Sequence, residues 1–181
     1  MKKEILIAGF GGQGVMAIGK NMVEAGMSEG REVTWVPTYG PEMRGGTSNC
    51  SVILSDEPIG APIVSAPTDL IAMNQQSLEK YAPAVRSGGL IFVNGSDAQG
   101  LERQDVTVYL IPCIQIATKL GNPRAANMVM LGAYAAATGT LRQETLEGMV
   151  RHMFSGPKAH LAQLNIQALQ AGMDCVSKAA C

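Results

Sequence analysis

Aromatic residues are scarce in this chain: three Phe, four Tyr and one Trp among 181 residues, or 4%. Recognition of single-stranded nucleic acid by base stacking therefore has little to work with. An excess of positive charge is lacking as well. Fourteen Lys and Arg stand against fifteen Asp and Glu, a net charge of -1. With no basic cluster anywhere along the chain, a phosphate-backbone binder driven by bulk charge is excluded. No apolar run approaches the roughly 18 residues that a membrane span needs. The opening Met1-Lys2-Lys3-Glu4-Ile5-Leu6-Ile7-Ala8 is superficially like an export signal, but glycines interrupt its apolar stretch within a few residues. Cys50, Cys113, Cys175 and Cys181 are widely separated, and no C-x-x-C pair occurs. Neither a zinc ribbon nor an iron–sulfur cluster is encoded by such spacing. These absences lead us to expect a reduced, soluble, cytoplasmic chain that binds no metal, no nucleic acid and no membrane.

Hydrophobic residues are plentiful at 46%, charged residues only 16%, and eleven are Met. The methionines read as adaptable core filler or as part of a subunit contact. Twenty-one Gly and nine Pro fall at turns between apolar runs. Glu4 to Phe10 is a short branched run that reads as a buried strand. Val15, Ile18, Met22 and Ala25 then recur at helical spacing, and Glu32 to Pro37 reads as a second strand. The three together predict one βαβ unit. A Gly- and Pro-dense loop spans Thr38 to Thr47, and Ser48 to Leu54 is a further candidate strand. Asp69 to Asn74, Leu90 to Val93 and Val106 to Ile111 follow as strands, with a helix capped by Ser77 and running to about Val85.

The last third is helical: Ile114 to Leu120, Ala125 to Ala137 after an Asn122-Pro123 start, Arg142 to Met153, and His160 to Val176. The helix from Ala125 is apolar nearly all round, so it must be buried in the domain or against another subunit. With no repeat and no linker, residues 1–181 read as one domain. The expected fold class is α/β: an open, mostly parallel sheet with helices on both faces, Rossmann-like, with additional C-terminal helices.

Gly9-Phe10-Gly11-Gly12-Gln13-Gly14 lies between a predicted strand and a predicted helix and satisfies G-x-G-x-x-G. Glycines let a ligand approach the backbone closely, and N–H groups at a helix start attract phosphate. A dinucleotide site also needs an acid at the end of the second strand. That strand ends Trp35-Val36-Pro37-Thr38, without a carboxylate, and no Lys-Ser/Thr follows the glycines. The same glycines also suit a tight turn with close helix–strand packing and no ligand.

A second candidate follows the second strand: Tyr39-Gly40-Pro41-Glu42-Met43-Arg44-Gly45-Gly46. Its place beyond a strand's carboxyl end puts it where open parallel sheets bind ligands. Arg44 either grips a carboxylate or phosphate with two donors or forms a solvated pair with Glu42 that is worth little. Asn127, at the start of the apolar helix, either hydrogen-bonds to a neighbouring loop or serves as a capping or core residue. His152 and His160 lack partners at metal spacing, and Cys113 lacks a basic neighbour, so surface and inert core roles are expected for them.

Three stretches follow one another along the chain: Ile7-Ala8-Gly9-Phe10-Gly11-Gly12-Gln13-Gly14-Val15, Tyr39-Gly40-Pro41-Glu42-Met43-Arg44-Gly45-Gly46, and Asn122-Pro123-Arg124-Ala125-Ala126-Asn127-Met128-Val129-Met130-Leu131-Gly132-Ala133. Together they resemble the gamma subunit of the 2-oxoacid:ferredoxin oxidoreductases. The Glu-Met-Arg-Gly-Gly form of the loop is more similar to the 2-oxoglutarate and branched-chain members than to the pyruvate type. The resemblance implies oxidative decarboxylation of a 2-oxoacid to an acyl-coenzyme A, with electrons passing to ferredoxin. It implies alpha, beta and delta partners that carry thiamine diphosphate and iron–sulfur clusters, and a gamma chain inactive alone and prone to self-association when isolated. It further implies a cofactor-binding edge, with coenzyme A as a possible ligand: Gly11, Gly12, Gln13 and Gly14 receive a phosphate or an incoming loop, and Tyr39, Gly40, Pro41, Glu42 and Arg44 face the active-site channel, with Asn127 counted among the candidate binding residues. No residue is expected to act catalytically. Indolepyruvate or pyruvate are alternative substrates; a purely structural subunit and a free-standing nucleotide-binding protein are alternatives of other classes.

Overall fold

The computed structural model describes residues 1–38 and 47–179. The first apolar run forms β1 (Lys2–Phe10), followed by α1 (Val15–Ser28), β2 (Glu32–Thr38) and β3 (Thr47–Ser55). Then come β4 (Asp69–Ala72), α2 (Gln75–Tyr81), β5 (Leu90–Asn94) and β6 (Thr107–Ile111). The chain continues through α3 (Cys113–Lys119), α4 (Ala126–Thr138), α5 (Gln143–Met153) and α6 (Ala159–Ala179). The strands form one sheet in the order β2-β3-β1-β4-β5-β6. From β1 through β6 the pairing is parallel, whereas β3 runs antiparallel to both β1 and β2. No helix among the described residues is long and apolar enough to cross a membrane.

The sheet corrects one expectation. β1 and β2 do not pair; β3 lies between them, so β1-α1-β2 is a split unit with a strand inserted. Burial explains the order. In β3, Cys50, Val52, Ile53 and Leu54 are all fully buried, while most of β2 is only half-buried and Glu32, Val36 and Thr38 are exposed. Pro37 also has no N–H to offer a second neighbour, which suits an edge strand. The strand with more to bury takes the inner place.

Side chains alternate between two cores, as the pleat requires. Ile5, Ile7, Val52, Leu54, Ile71 and Phe92 face the larger core, which α1, α3, α4, α5 and α6 complete. Leu6, Leu70, Ala72, Ile91 and Val93 face the smaller one, closed by Leu78, Ala82 and Val85. Helices thus cover both faces, but unevenly. The helix predicted to reach Val85 is α-helical only to Tyr81, after which Ala82–Ala84 tightens into a 3-10 turn containing Pro83. Its cap is Asn74 rather than Ser77: Asn74 Oδ1 accepts from the Ser77 N–H at 2.8 Å.

The all-round apolar helix α4 is buried within the chain itself, from Met128 through Ala135. It packs against α6 at two glycines. A Cβ on Gly132 would lie 1.9 Å from the Leu169 carbonyl oxygen, and one on Gly172 would lie 1.9 Å from that of Val129. Five methionines, Met22, Met73, Met128, Met130 and Met173, are buried core filler.

At the amino end of β4, Asp69 is fully buried. It accepts a hydrogen bond from the Tyr134 hydroxyl at 2.9 Å and pairs with Lys3 Nζ at 3.1 Å. Burial, and then the neighbouring Asp69 charge, hold the Tyr134 hydroxyl well above its ordinary pKa, so it stays a donor.

Candidate functional site

Parallel strands bring their carboxyl ends to one edge. Here that edge carries the glycine turn after β1, Met73-Asn74 after β4, Asn94-Gly95 after β5, and Pro112-Cys113 after β6. In such sheets the crevice beyond the strand ends is where ligands bind.

Within the turn, the Gln13 N–H donates to the Phe10 carbonyl at 3.2 Å. Gly12 (φ 91°) and Gly14 (φ 80°) hold left-handed conformations that other residues adopt only with strain. Gly11 and Gly12 are exposed, and among the described residues no atom lies within 4 Å of where a Cβ would stand. Gly14 is the opposite case, since its Cβ would lie 2.7 Å from that of Asn127. Two candidates far apart in sequence are thereby in contact. Asn127 itself is half-buried, in the first turn of α4, and its Oδ1 accepts from the next N–H, that of Met128, at 3.0 Å.

Gln13 does not face outward. Its Oε1 accepts from the Phe10 N–H at 2.7 Å and from Asn74 Nδ2 at 2.9 Å, while its Nε2 donates to the Met73 carbonyl at 2.9 Å. Asn94 Nδ2 donates to that same carbonyl at 3.2 Å, and Asn94 Oδ1 accepts from the Cys113 N–H at 3.2 Å. Sequence reasoning missed Asn74 and Asn94. A signal was available, because both are amides placed directly after apolar strands.

No side chain caps α1, and its first turn holds no acidic residue. A helix start of this kind favours an anion. A dinucleotide is poorly served, because the strand beside β1 is the antiparallel β3, whose Ser55 end pairs with Lys2 at the opposite edge. The strand end that would carry the ribose-binding acid is that of β2, one strand further out, and it closes on Thr38 without a carboxylate.

Tyr39, Gly40, Pro41, Glu42 and Arg44 lie outside the described residues. The strands that flank them end at this edge: Thr47 pairs with Phe10, and Thr38 with Asn49.

His152 and His160 are exposed, and among the described residues no three His, Cys, Asp or Glu side chains gather as a metal site. Cys50, Cys113 and Cys175 are free thiols. Burial pushes the Cys50 thiol up to about 11 and raises Cys113 further, so both are held as inert thiols. An apolar cavity of about 280 Å³, lined by Leu78, Ala82, Pro83 and Leu101 among others, shares no residue with the glycine edge.

Residues 4–175 match the family described as pyruvate ferredoxin/flavodoxin oxidoreductase. The chain is 41% identical over 175 residues to a ketoisovalerate oxidoreductase subunit VorA of Methanothermobacter marburgensis, covering 96% of this chain and 36% of that protein. It thus spans about a third of the length of that relative. It is 35% identical over 178 residues to a 2-oxoglutarate synthase subunit KorC of Methanocaldococcus jannaschii, covering 96% of this chain and 94% of that one. Among solved structures, the gamma subunit of a keto/oxoacid ferredoxin oxidoreductase from Geobacter sulfurreducens superposes with TM-score 0.83 at 31% identity, over 97% of this chain and 99% of that chain. A 2-oxoglutarate:ferredoxin oxidoreductase from Magnetococcus marinus, solved with 2-oxoglutarate, coenzyme A and succinyl-CoA bound, shares the fold. Its TM-score is 0.89 at 23% identity, over 98% of this chain and 31% of that one.

Proposed function

The chain belongs to the pyruvate ferredoxin/flavodoxin oxidoreductase family and is of the gamma type, and from that premise we propose that it serves as the gamma subunit of a 2-oxoacid:ferredoxin oxidoreductase. In that complex a 2-oxoacid is oxidatively decarboxylated to its acyl-coenzyme A, and the electrons pass to ferredoxin. The alpha, beta and delta partners would carry thiamine diphosphate and the iron–sulfur clusters. The part of this chain is to hold coenzyme A.

The observation that carries this reading is the glycine turn. Gly11 and Gly12 are open to approach, and the turn leads into a helix start that has neither a capping side chain nor an acid to compete with a phosphate. Gly11, Gly12 and Gly14 would offer backbone to the diphosphate of coenzyme A. Gln13 and Asn127 belong to the same edge as supports, since both spend their side-chain hydrogen bonds on neighbouring backbone. Tyr39, Gly40, Pro41, Glu42 and Arg44 would join from the neighbouring segment, with Arg44 as the charged grip on phosphate.

The substrate we favour is 2-oxoglutarate, supported by the near full-length match to a 2-oxoglutarate synthase subunit. A branched-chain 2-oxoacid is the second reading, favoured by the higher identity to a ketoisovalerate oxidoreductase subunit.

The test is kinetic. In the assembled complex, Gly11→Asp places a carboxylate at an unstrained, open position of the turn. It should raise the KM for coenzyme A about tenfold by repelling phosphate, leaving the KM for the oxoacid and the melting temperature unmoved. A coenzyme A KM equal to that of the parent would refute the reading in favour of a purely structural subunit. Viologen reduction with a panel of 2-oxoacids names the substrate.

A further inference from the structure

We propose that Asn74, acting through Gln13, is a positioning residue that sets the glycine turn for coenzyme A; the inference rests on the reading that coenzyme A binds at this edge. The hydrogen bonds form one unbroken relay. It begins at the Phe10 N–H, enters Gln13 Oε1 at 2.7 Å and meets Asn74 Nδ2 on the same oxygen at 2.9 Å. Asn74 then uses its own oxygen to cap α2 through the Ser77 N–H at 2.8 Å. A branch leaves through Gln13 Nε2 to the Met73 carbonyl at 2.9 Å, which Asn94 shares at 3.2 Å. Asn94 ends the branch on the Cys113 N–H at 3.2 Å. The starts of α1, α2 and α3 are thereby tied to one another across the ends of β1, β4 and β5.

Gln13 sits between the exposed glycines and Gly14, so whatever fixes its amide fixes the backbone on either side of it. Among the described residues, Gly11 and Gly12 have no packing neighbours of their own near the Cβ position. Their conformation is therefore set by what holds residues 10 and 13. Phe10 is held by its sheet pairing with Thr47. Gln13 is held by its backbone bond to Phe10 and by the relay. Breaking the Asn74 link removes one of the three hydrogen bonds that hold the Gln13 amide and leaves those to Phe10 and Met73, which loosens the open turn and spreads it over more conformations. A ligand that needs one of them binds more weakly by the fraction lost.

Two substitutions separate this role from simple helix capping. Asn74→Ser keeps an oxygen that caps α2 but is too short to reach Gln13, and it adds no charge. Asn74→Ala removes both the cap and the relay. Each is assembled with the partner subunits, and initial rates are measured with coenzyme A and the oxoacid varied separately. Both variants should raise the KM for coenzyme A about tenfold, with the KM for the oxoacid and the kcat at saturation unchanged, while only Asn74→Ala lowers the melting temperature. A coenzyme A KM that follows the melting temperature, moving in Asn74→Ala and not in Asn74→Ser, overturns the positioning role. So does failure of Asn74→Ser to assemble. The Gly11→Asp complex separates the two levels of inference. If it raises the KM and Asn74→Ser does not, only the positioning role falls. If neither moves it, the reading of the edge as a coenzyme A site falls with it.

Discussion

Gly132→Ala tests the closest contact in the larger core. The new methyl would stand 1.9 Å from the Leu169 carbonyl oxygen, 2.8 Å from its carbon and 3.1 Å from the Leu169 Cα. Ordinary contact begins at 3.4 Å, so the helices must part locally by about 1.5 Å (3.4 minus 1.9). All three atoms are backbone, which no rotamer change can move aside. Separating α4 from α6 loosens the packing of Val129, Ala133, Leu169 and Met173 at the same seam. Inserting one carbon into a packed core costs about 1–3 kcal/mol, and a rigid backbone obstacle belongs at or above the upper end. Replacing Gly by Ala inside a helix returns about 1 kcal/mol. We expect a net loss of about 2–3 kcal/mol, or a fall in Tm of about 4–12 °C for a chain of this size. Gly148→Ala is the matched control: the same change in α5, at an exposed site with nothing within 4 Å, should gain about 0.5–1 kcal/mol. Gly172→Ala should resemble Gly132→Ala, and the double variant should cost less than the sum, because one separation relieves both overlaps. Urea unfolding and thermal melts of the three single variants and the double measure all of this. Equal stability of Gly132→Ala and Gly148→Ala would refute the reasoning, since the two would then report propensity alone.

Tyr134→Phe removes the hydroxyl donor from fully buried Asp69, which keeps its pairing with Lys3. A loss of about 1–3 kcal/mol in urea unfolding is expected, and an unchanged midpoint would show that the hydroxyl contributes nothing. The hydrogen bond from Arg103 lowers the Asp105 carboxyl from its usual 3.8 to about 2. A depressed folded-state pKa stabilises above the unfolded value and is lost on acidification, so this contribution should fade as pH drops from about 4 to about 2. Asp105→Asn should flatten stability over that window, and a carboxyl NMR titration that places Asp105 at its ordinary value would contradict the assignment.

Much of the chain declares itself locally. Branched apolar runs specify the six strands, with Gly11, Gly95 and Pro112 closing β1, β5 and β6, and helical spacing at Val15, Ile18, Met22 and Ala25 specifies α1. The glycine turn is legible because strand, glycines and helix are contiguous. These signals live within a few residues of one another, where backbone sterics and side-chain period act directly. Strand order does not. Nothing local says that β3 takes the place between β1 and β2; that is decided by which strand has more apolar surface to bury. The apolar character of α4 foretells burial, but that α6 covers it, with Gly132 and Gly172 at the crossing, depends on residues about 40 apart coming together. Gln13 is the clearest case. Sequence alone places it on the ligand side of the turn, whereas Asn74, sixty-one residues away, draws its amide inward, because a half-buried amide is stabilised most where every polar atom finds a partner.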